Sequence, residues 1–233
     1  MHFGVIVQAR MGSRRLPGKV LRTIKGKPLL QYLLERLDRC DSGREYVVAT
    51  STQPMDDPIV SFCADYGIAC TRGSEPDVAG RFLQCAEQSG FDAFARLSAD
   101  SPLLDMDILR RCVHRFAENR CDLVTNIIPR TFPRGQSVEI MWTSSLARAH
   151  HLMRAEEDLE HVTRFLYNNP QDFRIENVAS RENYDDIHLA VDSEADLSRV
   201  TAIISKMTKT HWRYGLNDVA RLYRLVASDA IAI

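Results

Sequence analysis

The sequence lacks the long apolar segment that a membrane-spanning protein requires. None of its runs approaches the roughly 18 consecutive apolar residues of a transmembrane helix. The first eight residues carry no basic segment ahead of an apolar core, as a secretory signal would. We therefore expect a cytoplasmic protein that does not insert into a membrane. Repeats and low-complexity tracts are missing as well, which excludes collagen-like and largely disordered chains.

A net charge of one sign is also missing. The 30 Lys and Arg residues nearly balance 31 Asp and Glu, leaving a formal charge of −1, so we expect no general coat for nucleic acid. The six cysteines form no Cys-x-x-Cys pair, which favours reduced thiols over a disulfide or zinc framework. With 233 residues, 45% of them hydrophobic, the chain is long enough for one large α/β domain.

Several familiar catalytic motifs are absent. The sequence contains neither Gly-x-Ser-x-Gly nor His-Glu-x-x-His, so it offers no hydrolase or zinc-protease signature. The stretch from Gly12 to Gly18-Lys19 has five intervening residues where a Walker A loop has four, and Val20 replaces the Ser or Thr that would bind magnesium. A P-loop nucleotidase is therefore excluded, and a dinucleotide-binding Gly-x-Gly-x-x-Gly is missing as well.

Short apolar runs without a polar face alternate with amphipathic segments through the first half of the chain. This alternation predicts a parallel sheet covered by helices on both faces. The predicted strands span 3–7, 46–49, 68–71, 93–98 and 122–126, and the predicted helices span 28–40, 57–66, 77–87 and 107–117.

The alternation breaks at residues 129–135, where Pro129, Pro133 and Gly135 exclude a central strand or a helix. We interpret 129–180 as an insertion within a single domain spanning 1–233. Beyond the break, strands are predicted at 136–142, 173–178 and 187–191, and helices at 144–153, 159–167 and 217–228. Ser193 matches a capping box and predicts a further helix to about residue 207.

The most informative segment is the loop from residue 8 to 19, directly after the first predicted strand. The first 27 residues contain seven Lys or Arg and no acidic residue. In α/β sheets, ligands bind beyond the carboxyl ends of the strands. Glycines that admit a close backbone, a serine hydroxyl and several cations suit a polyphosphate. The loop therefore predicts a phosphate-binding site, against the alternative of a solvated basic surface.

Acidic residues follow two other predicted strands. Asp100 comes after the strand at 93–98 and Asp192 after the one at 187–191, so both should reach the sheet edge that carries the basic loop. Magnesium prefers one or two carboxylates together with phosphate oxygens, which makes this pair candidate Mg²⁺ ligands. Either could instead be a helix N-cap. Asp105 and Asp107 form an Asp-x-Asp pattern, but helix N-terminal acids explain it equally well.

The sequence resembles the sugar-acid cytidylyltransferases, the family of the acylneuraminate and 3-deoxy-manno-octulosonate enzymes, and most of all their spore coat polysaccharide biosynthesis branch. The resemblance covers ordered blocks between residues 5 and 197. The matching blocks are 5–21, 49–51, 72–75, 77–82, 96–102, 130–135, 160–163 and 191–197. It implies a glycosyltransferase-A-like, three-layer α/β/α fold with a mostly parallel sheet. It also implies Mg²⁺-dependent transfer of CMP from CTP to a sugar acid with release of pyrophosphate, and a homodimer formed through the insertion.

The resemblance also implies roles for individual residues. It assigns catalysis to Arg10, Lys19, Asp100 and Asp192, and metal binding to the two aspartates. The nucleotide-binding residues fall into two groups: those at the triphosphate would be Gln8, Ala9, Arg10, Gly12, Ser13, Arg15 and Lys19. Those near the nucleotide base would be Arg72, Ser74, Asp77 and Arg81. The sugar-facing residues would be Arg134, Gln136, Glu139 and His161. A sugar acid needs a cation in its pocket, and Arg134 is our candidate for that cation.

Two other functions remain open at this stage. A glycosyltransferase of the same fold would use Asp105 and Asp107 to hold its metal and would release no pyrophosphate. A non-catalytic nucleotide-binding protein could retain the basic loop, although the presence of Lys19, Asp100 and Asp192 together speaks against decay.

Overall fold

The computed structural model describes residues 1–43, 45–184 and 186–231. The strands are β1 (Phe3–Gln8), β2 (Thr23–Ile24), β3 (Lys27–Pro28), β4 (Tyr46–Ser51), β5 (Cys70–Gly73), β6 (Ala93–Ser98), β7 (Leu123–Thr125), β8 (Glu139–Trp142) and β9 (Ile175–Asn177). The helices are α1 (Leu29–Leu37), α2 (Asp57–Asp65), α3 (Val78–Gln88), α4 (Met106–Glu118), α5 (Thr143–Leu152), α6 (Glu156–Glu160), α7 (Arg164–Asn168), α8 (Glu194–Ser205) and α9 (Leu216–Ile231).

The main sheet has the strand order β5-β4-β1-β6-β8-β7-β9 within the described residues. Strand β1 pairs in parallel with β4 on one side and β6 on the other, and β4 pairs in parallel with β5. The carboxyl ends of these four strands therefore meet at one edge of the sheet. Gln8, the last residue of β1, lies opposite Ala49 and Ser98 in the register.

One strand runs against the predicted parallel direction. Strand β8 is antiparallel to both of its neighbours, β6 and β7, so the sheet is mostly rather than wholly parallel. The connection between β7 and β8 is the proline-containing segment, which holds no helix. A parallel pair needs a crossover of a dozen or more residues, usually helical, whereas antiparallel neighbours need none. The direction of β8 follows from that difference.

Helices cover both faces of the sheet, which confirms the three-layer prediction. Side chains alternate across each strand, so Val5 and Val7 join one core while Ile6 joins the other. The first core packs under α1, α2, α4, α8 and α9, and the second under α3, α5 and α7. No helix within the described residues combines the length and apolar character needed to cross a bilayer.

Three local predictions were wrong. Residues 187–191 form an isolated bridge at His188 rather than a strand, because they pair with loop residues: the Leu189 amide donates to the Arg134 carbonyl at 2.7 Å. The helix predicted at 159–167 is two short helices, α6 and α7, separated around the fully buried Val162. Residues 136–138 precede β8 instead of belonging to it.

Candidate active site

The loop after β1 closes on the carbonyl of Met11. The amides of Ser13 and Gly18 both donate to that oxygen, each at 2.9 Å. Gly18 has φ +69°, a left-handed conformation that glycine adopts without a Cβ penalty. Leu16 is 2% exposed and anchors the loop in the core. The buried Leu16 side chain and the closed turn therefore hold the polar residues of the loop at the edge of the sheet.

Lys19 lies between the two predicted metal-binding aspartates. Its Nζ donates to Asp100 Oδ2 at 2.7 Å and to Asp192 Oδ1 at 2.8 Å. The side chain of Lys19 is 10% exposed, and those of Asp100 and Asp192 are 21% and 27% exposed. Arg15 adds a contact to Asp192 Oδ2 at 3.2 Å. Residues far apart in the sequence thus form one partly buried cluster of charges.

Asp192 reaches this cluster through a backbone contact. The Val191 amide donates to the Asp100 carbonyl at 2.9 Å, which sets the two aspartates side by side. The N-cap of α8 is Ser193, whose hydroxyl accepts from the Asp196 amide in a complete capping box. Asp192 is therefore not the N-cap of α8, so helix capping does not account for an aspartate at this position.

The surroundings of Asp192 favour its charged form. Partial burial by itself would raise the pKa of this carboxyl, but the hydrogen bond and charge of Lys19, together with Arg15 and His188, outweigh burial. The net result is a pKa below the ordinary value of an aspartate. The carboxylate is therefore ionised at neutral pH and able to hold a cation.

An open cavity of about 770 Å³ lies over this cluster. The β1 loop and strand β6 line one side with cations, helix α6 lines another with acidic and apolar side chains, and the segment before α3 contributes a third wall. The lining residues include Gln8, Arg10, Gly12, Ser13, Arg14, Arg15, Lys19, Glu75, Asp77, Arg96, Ser98, Asp100, Glu156, Leu159, Glu160, His161 and Asp192. The predicted triphosphate residues are therefore brought together, except Ala9, which is buried.

The predicted base-binding residues have other contacts as well. Arg72 donates to the carbonyls of Ser51 and Gln53 at 2.8 and 2.9 Å. Arg81 is 2% exposed and donates to the Ser74 carbonyl. Burial lowers the pKa of Arg81, and the nearby charge of Arg10 lowers it further. Of this group, Asp77 lines the cavity, and Arg72, Ser74 and Arg81 do not.

A second, smaller cavity of about 240 Å³ adjoins the first and shares Arg96, Ser98, Asp100 and Asp192 with it. Two of the predicted sugar-facing residues, Arg134 and Glu139, line it. Gln136 does not, because it is fully buried and bonds to the Leu103 carbonyl at 2.8 Å and the Asp105 amide at 2.7 Å. His161 lies in the larger cavity instead.

Three arginines and three acids line the small cavity, and each of the acids already pairs with a cation. Glu139 bonds to Arg96 at 2.5 Å and accepts from the Tyr167 hydroxyl, also at 2.5 Å, so its charge is already matched. Arg130 donates to the neutral Ser137 hydroxyl at 3.3 Å. Within the part of the chain that the structure describes, no carboxylate forms an ion pair with Arg130 or Arg134. An anionic ligand would find two guanidinium groups there.

Sequence reasoning missed several residues at this site. Arg96 is a charged residue within an otherwise apolar strand, a signal that could have found it. Arg130 and His188 carry no comparable signal, because loop contacts bring them to the small cavity. Helix α6 is rich in acids, and two of them, Glu156 and Glu160, are exposed and form one wall of the large cavity.

The Asp-x-Asp pattern has a structural explanation. Asp105 is the N-cap of α4 and accepts from the Asp107 amide at 2.9 Å and from the Leu216 amide at 2.6 Å. Asp107 is exposed and pairs with Arg110 one turn along the helix. Neither residue lines the cavity that contains Lys19. The alternative of a glycosyltransferase that holds its metal with these acids has no support in this geometry.

The carboxylates present fit a magnesium ion. No group of three or more His, Cys, Asp or Glu suited to a metal exists among the described residues. Asp100 and Asp192 are nevertheless close enough to share one ammonium group. Magnesium commonly binds through one or two carboxylates while phosphate oxygens and water complete its shell. Two converging carboxylates beside a phosphate-sized cavity match that requirement.

The fold and this site define a nucleotidyltransferase, and comparison with known proteins identifies the family. A family model described as cytidylyltransferase matches residues 4–212. The chain therefore belongs to the cytidylyltransferase family, whose members are CTP-dependent nucleotidyltransferases.

Two curated proteins and one solved structure are similar to this chain over most of its length. The spore coat polysaccharide biosynthesis protein SpsF of Bacillus subtilis is 30% identical over 208 residues, covering 86% of this chain and 85% of that protein. An uncharacterised protein of Methanocaldococcus jannaschii is 34% identical over 172 residues, covering 73% and 69%. A cytidylyltransferase structure from Leptospira borgpetersenii superposes with a TM-score of 0.92 at 29% identity, covering 98% and 96% of the two chains.

Proposed function

We propose that this protein transfers CMP from CTP to a sugar acid and releases pyrophosphate. The observation that carries the proposal is the convergence of Lys19, Asp100 and Asp192 between two cavities. The larger cavity is lined by the cationic β1 loop, and the smaller one by Arg130 and Arg134. A donor triphosphate and an anionic acceptor would therefore meet at the two aspartates.

The β1 loop would bind the triphosphate. Arg10, Arg15 and Lys19 supply positive charge, and Ser13 supplies a hydroxyl donor. Such groups are most effective when they are already oriented toward the charge that develops in the transition state. The closed turn on the Met11 carbonyl provides that orientation. Arg10 and Lys19 would stabilise the negative charge that grows on the departing pyrophosphate.

Asp100 and Asp192 would hold Mg²⁺. When bound, the ion would supply charge neutralisation at the α-phosphate and lower the pKa of the attacking hydroxyl. The protein's own contribution is to keep the two carboxylates adjacent through the Val191–Asp100 backbone contact, and to favour the charged form of Asp192 by lowering its pKa. Without a cation, the two carboxylates would repel a triphosphate, so we expect strict dependence on a divalent metal.

The acceptor would bind in the small cavity. Arg130 and Arg134 offer planar donors that match a carboxylate. Arg130 is half-buried, and burial followed by the charge of Arg134 lowers its pKa. An incoming carboxylate would relieve that repulsion between the two guanidinium groups. Because neither guanidinium group pairs with a carboxylate among the described residues, this pair of arginines favours a sugar acid over a neutral sugar.

Further properties follow from the same proposal. The product would be a CMP-activated sugar for surface polysaccharide synthesis, as the similarity to the B. subtilis protein supports. We place the reaction in the cytoplasm. The insertion at 129–180 would form a homodimer interface. Ile128 and Leu152, next to or within that segment, are about half exposed, at 50% and 47%. Light scattering on the purified chain would give the mass that decides between monomer and dimer.

The decisive experiment measures pyrophosphate release with each nucleoside triphosphate, Mg²⁺ and a panel of sugar acids. Each sugar acid is paired with its carboxyl-reduced counterpart. We expect release only with CTP and an intact acid, with the CMP-sugar detected by mass spectrometry. Release with the reduced sugars would overturn the acceptor assignment. Binding of CTP without release for any acceptor would favour a non-catalytic nucleotide-binding protein.

A further inference from the structure

Asp56 is a buried carboxylate beside the active site that the proposed reaction does not use. It is 1% exposed and lies immediately before α2. An aspartate in this position ordinarily caps the helix by accepting from one of its first amides. Asp56 makes no such bond. Both of its oxygens point to other parts of the chain instead.

One oxygen holds the β1 loop. Asp56 Oδ1 accepts from the Met11 amide at 2.7 Å. Met11 is the residue whose carbonyl closes the loop, and it stands between Arg10 and Gly12. The carboxylate thus fixes the peptide at the point where the predicted triphosphate residues leave the sheet.

The other oxygen holds the end of β4. Asp56 Oδ2 accepts from the Ser51 amide at 3.1 Å and from the Ser51 hydroxyl. Arg72 also holds this turn, because its guanidinium group donates to the carbonyls of Ser51 and Gln53. The turn after β4 is therefore held by both Asp56 and Arg72. Moving the Asp56 carboxylate away from Met11 would break several of these contacts.

Asp56 also compensates charge behind the loop. Burial and Arg10 both lower the pKa of Arg81, and Asp56 opposes them. A buried anion at this point offsets some of the repulsion among the guanidinium groups that a triphosphate site needs. Asp56 does not line either cavity at the active site, so it would act through the loop and not on the ligand.

We propose that Asp56 is a positioning residue that holds the β1 loop in its triphosphate-binding form. The inference rests on the proposed role of that loop. It adds to that role that the carboxylate of a residue on another segment keeps the loop in its shape. Loss of a hydrogen bond to a charged group is among the costlier single changes, and a tenfold change in affinity corresponds to about 1.4 kcal/mol.

The test compares Asp56→Ala with Ser51→Ala in the full-length protein. Calorimetry would give the dissociation constants of CTP and of cytidine, which lacks phosphates. We expect Asp56→Ala to weaken CTP binding about tenfold while cytidine binding changes less than twofold. Ser51→Ala keeps the Met11 contact, so it should lower the Tm without a comparable loss of CTP affinity. Asp65→Asn, an exposed acid on α2, serves as the unaffected control.

A double-mutant cycle with Arg10→Ala adds a readout that general instability would not produce. If Asp56 acts by placing Arg10, its removal should cost less CTP affinity when Arg10 is already absent. Equal losses in both backgrounds would overturn the inference, as would a parallel loss of cytidine binding. Should Asp56→Ala fail to fold, Asp56→Asn, which retains one acceptor oxygen, takes its place in the same cycle. Failure of the wild-type protein to bind CTP would instead contradict the proposed function.

Discussion

The two cavities that meet at Asp100 and Asp192 are built in different ways. The triphosphate side stands on the ends of parallel strands β1, β4, β5 and β6, where strand register fixes each loop. The acceptor side adds to strands β6 and β8 a set of loops that hold one another, as in the contact between the Leu189 amide and the Arg134 carbonyl. Under the proposed function, acceptor choice would therefore depend on loops that lie outside the parallel strands.

The largest effect is expected at the point shared by both halves. Asp192→Asn removes a charge that both cavities face, and we expect turnover to fall about 1,000-fold while the Tm stays close to that of the wild type. Pyrophosphate release and thermal unfolding measure the two quantities. Glu194→Gln, two residues away and 65% exposed in its pair with Arg22, should have little effect. Turnover within tenfold of wild type would contradict a metal-binding role for Asp192.

A smaller effect, confined to the nucleotide half, is expected from Lys19→Ala. Loss of the ammonium should reduce kcat/KM for CTP about 100-fold, because the triphosphate loses a fixed cation while two carboxylates lose their partner. CMP binding, measured by calorimetry, should change far less. Arg22→Ala, a nearby cation paired at the surface, is the control. An equal loss of CMP and CTP affinity would place Lys19 outside the pyrophosphate end of the site.

The acceptor half should respond separately. Arg134→Gln removes a charge that would face the sugar carboxylate, and we expect KM for the acceptor to rise about tenfold with KM for CTP unchanged. Steady-state kinetics with each substrate varied in turn gives both constants. Arg111→Gln, an exposed arginine on α4 that lines neither active-site cavity, is the matched control. A rise in KM for CTP instead would show that the two cavities are not independent.

The last prediction concerns the stability of the fold, and the residue involved, His211, should affect the reaction least. Burial lowers the pKa of this imidazole to about 4, although its bond to Glu35 opposes the shift. The folded protein thus keeps His211 neutral while the unfolded chain protonates near pH 6.5, so stability is complete above that pH and falls as the pH approaches 4. We expect a loss of about 2 kcal/mol in unfolding free energy between pH 7.5 and pH 5.

Urea unfolding at the two pH values measures this loss. His211→Gln should flatten the difference, whereas His114→Gln, on the exposed face of α4, should leave it unchanged. A pH slope that survives His211→Gln would assign the titration to other groups.

The same contrast between the two halves explains what the sequence could predict. Strand β1, the basic loop and Asp100 follow from apolar runs and from the residues that come after them. The sequence pattern predicts the correct sheet edge for Asp192 but for a wrong reason, since 187–191 is not a strand. A single hydrogen bond from the Val191 amide to the Asp100 carbonyl brings Asp192 there. Periodicity carries no information about such loop-to-loop contacts.

The contacts of other residues could not be predicted from the sequence, again for physical reasons. Asp56 precedes a helix, so a capping role was the natural expectation for it, and nothing local indicates that its partners are Met11 and Ser51. Gln136 lies in the proline-containing segment next to Arg134, yet it turns inward to brace the chain at Leu103 and Asp105. The direction in which such side chains point depends on tertiary packing that a linear pattern does not record.

The bond between Lys19 and Asp192 joins residues 173 positions apart in the sequence. Loop-closure entropy must be overcome before contacts of such long range can form. During synthesis, the strands of the first hundred residues can pair before residue 192 has left the ribosome, yet the charge cluster cannot. Under the proposed roles of these residues, activity would arise only in chains in which residues 19 and 192 have met, which would make an activity measurement a sensitive report on misassembled protein.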